Sequence, residues 1–262
     1  MTHHTLKVAV VMPVFNEEHR IEGFLRRIDL RSVTSSAIIV CVNDASTDSS
    51  VNLIAGLREP HHQIHVIHHH ANLGHGPSTL RALQEGISQG ADWIISVDGD
   101  GRISAEAIQD FAIRAADSHC DVVEGHRGTH SASLYRRVVS WSLPLLLFTR
   151  ARSWTSDANT PFRAYRRSSL AQLLEMIPHQ SLIPNLWMSL VVRRIGLNVQ
   201  TLAIDSDGSS DDGSSGSTWA GTRRSRQLPS RKFVSFCIAA IEEWHREWTS
   251  VRENIRRSTN AQ

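Results

Sequence analysis

Trp93-Ile94-Ile95-Ser96-Val97-Asp98-Gly99-Asp100-Gly101 is the stretch on which the reading of the fold turns. Apolar residues run up to two aspartates separated by one glycine, and another glycine follows. A short apolar run of this kind reads as a buried strand, and the glycines mark where the chain turns out of it. On an extended backbone, carboxylates at i and i+2 project to the same side. Such a pair repels itself unless a cation lies beside it. Hard oxygen donors with open coordination positions suit Mg²⁺ or Mn²⁺ carrying a diphosphate. Asp and Gly are also ordinary turn residues, so the tripeptide alone is equally consistent with a polar turn. The neighbouring segments decide between the two.

Upstream, Leu6 to Val14 is Val-rich and reads as a buried strand ending at Pro13-Val14-Phe15-Asn16-Glu17-Glu18. Ile21, Phe24, Leu25 and Ile28 then recur at helical spacing. Ala37 to Val42 is a second apolar run, ending at Asn43-Asp44-Ala45-Ser46-Thr47-Asp48. Ser46 or Thr47 is placed to cap a helix carrying Val51, Ile54 and Leu57. Ile64 to Ile67 leads into Asn72-Leu73-Gly74-His75-Gly76-Pro77 and a helix with Leu80, Leu83 and Ile87. Downstream of the aspartates come a helix from about Ala105 to Asp117 and a strand over Asp121-Val122-Val123. This alternation predicts an α/β fold: an open, mostly parallel sheet with helices on both faces. In such sheets the ligand site lies at the carboxyl ends of the strands. Asn16/Glu17, Asp44/Ser46, Gly74/Gly76 and Asp98/Asp100 all sit at such ends and should converge on a single cleft.

With 262 residues, 40% hydrophobic and 21% charged, the chain is long enough for one large soluble domain or two small ones. A net charge of +2 excludes a polyanion-binding molecule as a whole, and no nucleic-acid partner is expected. Five basic residues nevertheless crowd between Arg223 and Lys232. Cys41, Cys120 and Cys237 lie far apart, which suits a reducing cytosol. The first residues show no basic n-region followed by an apolar h-region, so no signal peptide is expected. The longest nearly apolar run, Val138 to Phe148, is interrupted by Pro144 and falls short of the roughly 20 residues that span a bilayer. The expected location is the cytoplasm, either free or peripheral on the cytoplasmic face of a membrane. The histidines between His61 and His70 lack zinc-site spacing and read as loop and strand-end residues. A dinucleotide-binding enzyme is disfavoured, because no Gly-x-Gly-x-x-Gly follows the first strand.

Pro13-Val14-Phe15-Asn16-Glu17, Asn43-Asp44-Ala45-Ser46-Thr47-Asp48, Asn72-Leu73-Gly74-His75-Gly76 and Asp98-Gly99-Asp100-Gly101, in that order, together resemble the family 2 glycosyltransferases of GT-A fold. The nearest likeness is to the dolichyl- and polyprenyl-phosphate sugar synthases. Asp157-Ala158-Asn159-Thr160-Pro161-Phe162-Arg163 is similar to that family's acceptor-side stretch, and Ile183 to Val199 to its following helix and strand. The resemblance implies transfer of a sugar from a UDP- or GDP-sugar, with inversion, to a polyprenyl phosphate. It assigns Pro13, Phe15, Glu17, Val42, Asp44, Asp98, Gly99, Asp100 and Arg102 to the nucleotide sugar, and Asp98 and Asp100 to Mg²⁺ or Mn²⁺. Gly74 and Gly76 would let backbone approach the ligand, or would simply form a loop–helix junction.

On the acceptor side, a lipid phosphate arrives already anionic, with a second pKa of about 6, and needs positive charge for positioning. Arg127, Arg136, Arg137 and Arg163 are the candidates, since Arg binds phosphate in a planar, bidentate way. A soluble hydroxyl acceptor would instead need a carboxylate base, Asp157 first and Glu124 second. A third possibility is a catalytically silent domain that only binds nucleotide sugar or a protein partner.

Two departures from the family pattern stand out. Arg102 takes the place where the family often has a metal-reaching Gln, and an acidic Gly/Ser-rich run from Asp205 to Ser217 stands where it usually has a basic closing loop. Residues 1–204 are thus expected to form the glycosyltransferase domain, with 1–127 the nucleotide-sugar half and 128–204 the acceptor half. Residues 205–230 read as a flexible linker or lid, and 231–262 as one amphipathic helix. That helix carries Phe233, Phe236, Cys237, Ala240, Ile241, Trp244, Trp248, Val251 and Ile255 on one stripe, with Glu242, Glu243, Arg246 and Glu247 away from it. Packing on the catalytic domain is the favoured use of the stripe. Membrane contact through Trp244 and Trp248, or pairing with a second subunit, are the alternatives.

Overall fold

The computed structural model describes residues 6–57, 62–117, 119–127, 160–204 and 231–260. Among the described residues seven strands form one sheet: β1 (Lys7–Val14), β2 (Ser36–Asn43), β3 (His62–His68), β4 (Trp93–Ser96), β5 (Val122–Arg127), β6 (Arg163–Arg166) and β7 (Val199–Ile204). Their order is β3-β2-β1-β4-β6-β5-β7. β1 pairs in parallel with β2 and β4, β2 with β3, and β5 with β7. Among the described strands β6 alone runs antiparallel, between β4 and β5.

Why the first half folds this way follows from the sequence pattern. Val8 to Met12 of β1 are all fully buried, as a central strand covered on both faces requires. Val8, Val10 and Met12 face the core shared with α1 (Ile21–Arg27), α2 (Ser50–Gly56) and α4 (Ala105–Asp117). Ala9 and Val11 face the opposite core, built from α3 (His75–Ser88), α5 (Arg167–Met176), α6 (Pro184–Arg194) and the long α7 (Arg231–Asn260). The sheet therefore has helices on both faces, as expected.

Three local expectations are corrected. β4 ends at Ser96, so Asp98 and Asp100 lie in the turn beyond it rather than on extended backbone. α2 begins at Ser50 with Ser49 at its cap position, so neither Ser46 nor Thr47 caps it; the Ser46 hydroxyl is used elsewhere. α7 packs into the core through Trp244, Val251 and Ile255, but Glu243, read as outward, is buried, whereas Ile241, read as part of the packing stripe, is exposed.

The packing of α7 has a specific anchor. Glu243 is 3% exposed and accepts hydrogen bonds from the Ser181 hydroxyl, the Leu182 N–H (2.8 Å) and the Trp187 indole N–H (2.9 Å). Trp244 stacks on Trp187 with ring centroids 4.2 Å apart. The shelf held by Glu243 in turn supports the start of α3: a Cβ on Gly76 would lie 2.3 Å from the Ser181 carbonyl oxygen and 2.7 Å from that of Leu182. The close backbone approach at Gly76 is thus to the chain itself, not to a ligand.

Candidate active site at the carboxyl ends of the strands

β1 lies between β2 and β4, and the chain proceeds from β1 to β2 and β3 on one side before returning to β4 on the other. In such sheets that reversal marks the usual ligand crevice, outside the carboxyl ends of β1 and β4. The loops that rim it are tied together. The Asn16 N–H donates to the Ser46 hydroxyl (3.1 Å), the Glu17 N–H to the Ser50 hydroxyl (2.8 Å), and the Thr47 N–H to the Asn16 side-chain oxygen (2.9 Å). The Glu18 N–H donates to Asp48 (3.1 Å), and the Ser49 N–H to Glu18 (3.0 Å). Asn16 and Ala45 both adopt left-handed backbone, with φ of 55° and 57°. For Ala45 this is strain of order 1–3 kcal/mol, the kind that the surrounding structure must enforce and that gathers at functional sites.

Asp44 does not face the crevice as a free carboxylate. It is 3% exposed, and its oxygens accept the Leu73 N–H (2.8 Å) and the Gly74 N–H (2.9 Å), with His69 Nδ1 at 3.1 Å. The Asp44 carbonyl also accepts from the Asn72 amide (3.2 Å). Asp44 therefore holds the Asn72–Gly74 loop in place instead of offering oxygens to a ribose. His69, read as a strand-end histidine, is its partner; nothing local in the sequence marks it, because the contact spans 25 residues. Val42 is likewise corrected: it is fully buried in the core on the α3 side.

The other donor-side candidates do gather. Pro13 is buried and Phe15 and Glu17 are half-buried at the end of β1. A Cβ on Gly99 would lie 2.5 Å from the Pro13 carbonyl oxygen, so only glycine lets the Asp98–Asp100 turn sit against β1. The Asp98 and Asp100 side chains are 26% and 29% exposed. His75 Nε2 stands 3.5 Å from Asp98, and Arg102 Nε stands 3.2 Å from Asp100. Burial, then the neighbouring charge of Asp100, push the Glu17 carboxyl up from 4.5 to about 7, against the opposing pull of Arg20 and Arg102.

Among the described residues no three His, Cys, Asp or Glu side chains converge as a metal cage. The donor set fits Mg²⁺ or Mn²⁺ all the same. These ions are commonly held by one or two carboxylates, with phosphate and water oxygens completing the shell, and two half-exposed aspartates in a glycine-cradled turn offer that.

The acceptor side differs from expectation. Arg163 is fully buried on β6: its guanidinium lies 3.4 Å from Glu124 and donates to the Asn185 carbonyl (3.1 Å) and the Ser189 hydroxyl. It is a core cation, not a surface phosphate binder. Burial pushes the Glu124 carboxyl up, but Arg163 and Arg193 outweigh it and hold that group below the usual carboxylate range, so Glu124 is a structural counter-ion and not a base. Arg127 ends β5, with its side chain outside the described residues. Arg136, Arg137 and Asp157 also lie outside them.

The family model described as glycosyl transferase family 2 matches residues 9–174, which contain the whole crevice. The chain belongs to that family. Within it, the chain is 27% identical over 197 residues to an undecaprenyl-phosphate 4-deoxy-4-formamido-L-arabinose transferase of Photorhabdus laumondii, covering 74% of this chain and 59% of the relative. It spans between a half and three fifths of the length of the first such relatives. Among solved structures, glucosyl-3-phosphoglycerate synthase from Mycobacterium tuberculosis superposes with a TM-score of 0.59 at 17% identity, covering 91% of this chain and 79% of that one. The same synthase in complex with Mn²⁺, UDP and glucosyl-3-phosphoglycerate gives 0.55 at 15% identity, over 76% and 70%. These structural likenesses establish the GT-A fold for this family 2 member.

Proposed function

We propose that this chain is a metal-dependent inverting glycosyltransferase that moves a sugar from a nucleoside-diphosphate sugar to a polyprenyl phosphate at a membrane surface. The observation that carries the reading lies at the carboxyl ends of β1 and β4. There an Asp98-Gly99-Asp100 turn that only glycine can seat rests on the Pro13 carbonyl, and Asp100 acts electrostatically on Glu17. Pro13 and Phe15 offer an apolar wall for a base, and Glu17 a hydrogen-bonding group. Asp98 and Asp100 would hold Mg²⁺ or Mn²⁺, which supplies Lewis-acid stabilisation of the charge developing on the leaving diphosphate. The acceptor oxygen bonds to the anomeric carbon as the carbon–oxygen bond to the diphosphate breaks on the opposite face. Two features support a phosphate acceptor. The names of the matched relatives specify undecaprenyl phosphate, and the one described carboxylate considered as a base, Glu124, is locked between two arginines.

No helix among the described residues is long and apolar enough to cross a membrane. Membrane contact through Trp244 is ruled out by its burial, and Trp248 is half-buried with Arg194 over its ring. Any such contact passes instead to Val234, Ile238 and Ile241, which are 42%, 53% and 54% exposed along one side of α7. The central test is calorimetry of UDP and GDP with and without Mn²⁺. Binding should collapse in EDTA and in Asp100→Ala; equal affinity with and without metal would overturn the reading.

A further inference from the structure

Asp100 is engaged twice by the residue two positions on. The Arg102 main-chain N–H donates to Oδ1 (3.1 Å), which locks the turn, and the Arg102 guanidinium lies on Oδ2 (Nε 3.2 Å). The same guanidinium also reaches Glu17 electrostatically, pulling that carboxyl down against the push of Asp100. Arg102 therefore places a positive charge on Asp100 and, together with Arg20, within electrostatic reach of Glu17. His75 stands on the far carboxylate, Asp98.

We propose that Arg102 is the resident counter-ion of the metal site: it occupies Asp100 until a divalent ion arrives, and is then handed over to the donor diphosphate. The proposal rests on the donor-site reading above. Its physical basis is competition. A divalent ion and a guanidinium repel each other, so they do not share one exposed carboxylate oxygen. The Asp100–Arg102 pair is easily parted, because both side chains are substantially solvated, at 29% and 46%, and exposed ion pairs contribute little. Once displaced, the guanidinium remains tethered two residues from the metal-holding carboxylate. The nearest new anion is then a bound diphosphate, which Arg grips in a bidentate way. In this chain one side chain would thereby neutralise the empty site and also close on the filled one.

The experiment uses the full chain in three forms: wild type, Arg102→Gln and Arg102→Lys. Mn²⁺ alone is titrated and the free ion followed by electron paramagnetic resonance; UDP is then titrated calorimetrically at saturating Mn²⁺. Arg102→Gln should bind Mn²⁺ alone about fivefold more tightly, the scale of one exposed ion pair, and bind UDP about fivefold more weakly. Arg102→Lys, which keeps the charge, should stay near wild type in the first titration and recover part of the second. The opposite signs are the signature, since a residue that only shapes the turn would weaken both. Unchanged or weaker Mn²⁺ binding in Arg102→Gln overturns the counter-ion role, and unchanged UDP binding overturns the hand-over. Both results leave the donor-site reading standing, provided that Asp100→Asn abolishes metal-dependent UDP binding. Absence of Mn²⁺ binding alone in every form overturns the counter-ion role, whereas absence of Mn²⁺-dependent UDP binding in wild type removes the reading and the inference together.

Discussion

Replacing Glu243 by Ala tests how α7 is held. The carboxylate is buried and accepts from three donors, the Ser181 hydroxyl, the Leu182 N–H and the Trp187 indole N–H. The hydroxyl can rotate to another partner, but the main-chain and indole N–H groups are fixed. Glu243→Ala thus strands the buried Trp187 indole N–H and the part-buried Leu182 N–H, each costing about 1–3 kcal/mol, for an expected loss of about 4 kcal/mol. That is a large part of the 5–15 kcal/mol typical of a folded protein. With a urea m-value of about 3 kcal/mol/M, the unfolding midpoint falls by about 1.3 M. Glu243→Gln retains one acceptor oxygen and should lose roughly half as much. The assay is urea unfolding followed by tryptophan fluorescence, which senses the stacked Trp187–Trp244 pair directly. A midpoint shift in Glu243→Ala below about 0.3 M, roughly 1 kcal/mol, would refute the reasoning, since it would mean that water satisfies those donors.

Arg163→Ala should destabilise by about 3–5 kcal/mol, because it breaks a buried ion pair and leaves Glu124 with only Arg193. A variant as stable as wild type in urea, with only its acceptor KM raised, would return Arg163 to a ligand-binding role. For Glu17 the folded value of about 7 lies above the ordinary 4.5, so its contribution to stability is complete below about pH 4.5 and is lost as pH rises through 7. Between pH 5 and 8 the Tm of metal-free wild type should therefore fall more than that of Glu17→Gln, and parallel pH profiles would contradict the shift. Changing Val234, Ile238 and Ile241 together to Ser should abolish co-sedimentation with vesicles rich in phosphatidylglycerol while leaving the unfolding midpoint near wild type. Equal pelleting of both proteins would show that this side of α7 does not meet the bilayer.

The half of the fold that was legible in the sequence is the half built from local regularities. β1, β2 and β4 are continuous apolar runs, each ending in a polar cluster, and α3, α4 and α7 show clear helical spacing. Those strand ends do meet at one crevice. What escaped depended on partners distant in sequence. β6, Arg163-Ala164-Tyr165-Arg166, is short and half arginine; it is a central strand only because Glu124 neutralises Arg163 across 39 positions, 163 less 124. Asp44 looked like a ligand group because nothing nearby shows that the Leu73 and Gly74 N–H groups will take its oxygens. Glu243 sits beside the apolar stripe on a helical wheel, and only the donors at Ser181, Leu182 and Trp187 draw it inward.

The antiparallel insertion of β6 has a consequence for how the chain is made. By the time residue 127 leaves the ribosome, β1 to β4 can already be paired as a four-stranded unit, yet the outer edge of β4 has no neighbour until residues 163–166 emerge. Until then β4 presents an apolar, unpaired edge, and open edges of that kind invite pairing between chains. Among the described residues β5 joins β1 to β4 only through β6, so residues 1–127 wait on residues 163–166 for closure of the sheet. A fragment cut between β5 and β6 would therefore be prone to aggregation even though it carries Pro13, Glu17, Asp98 and Asp100.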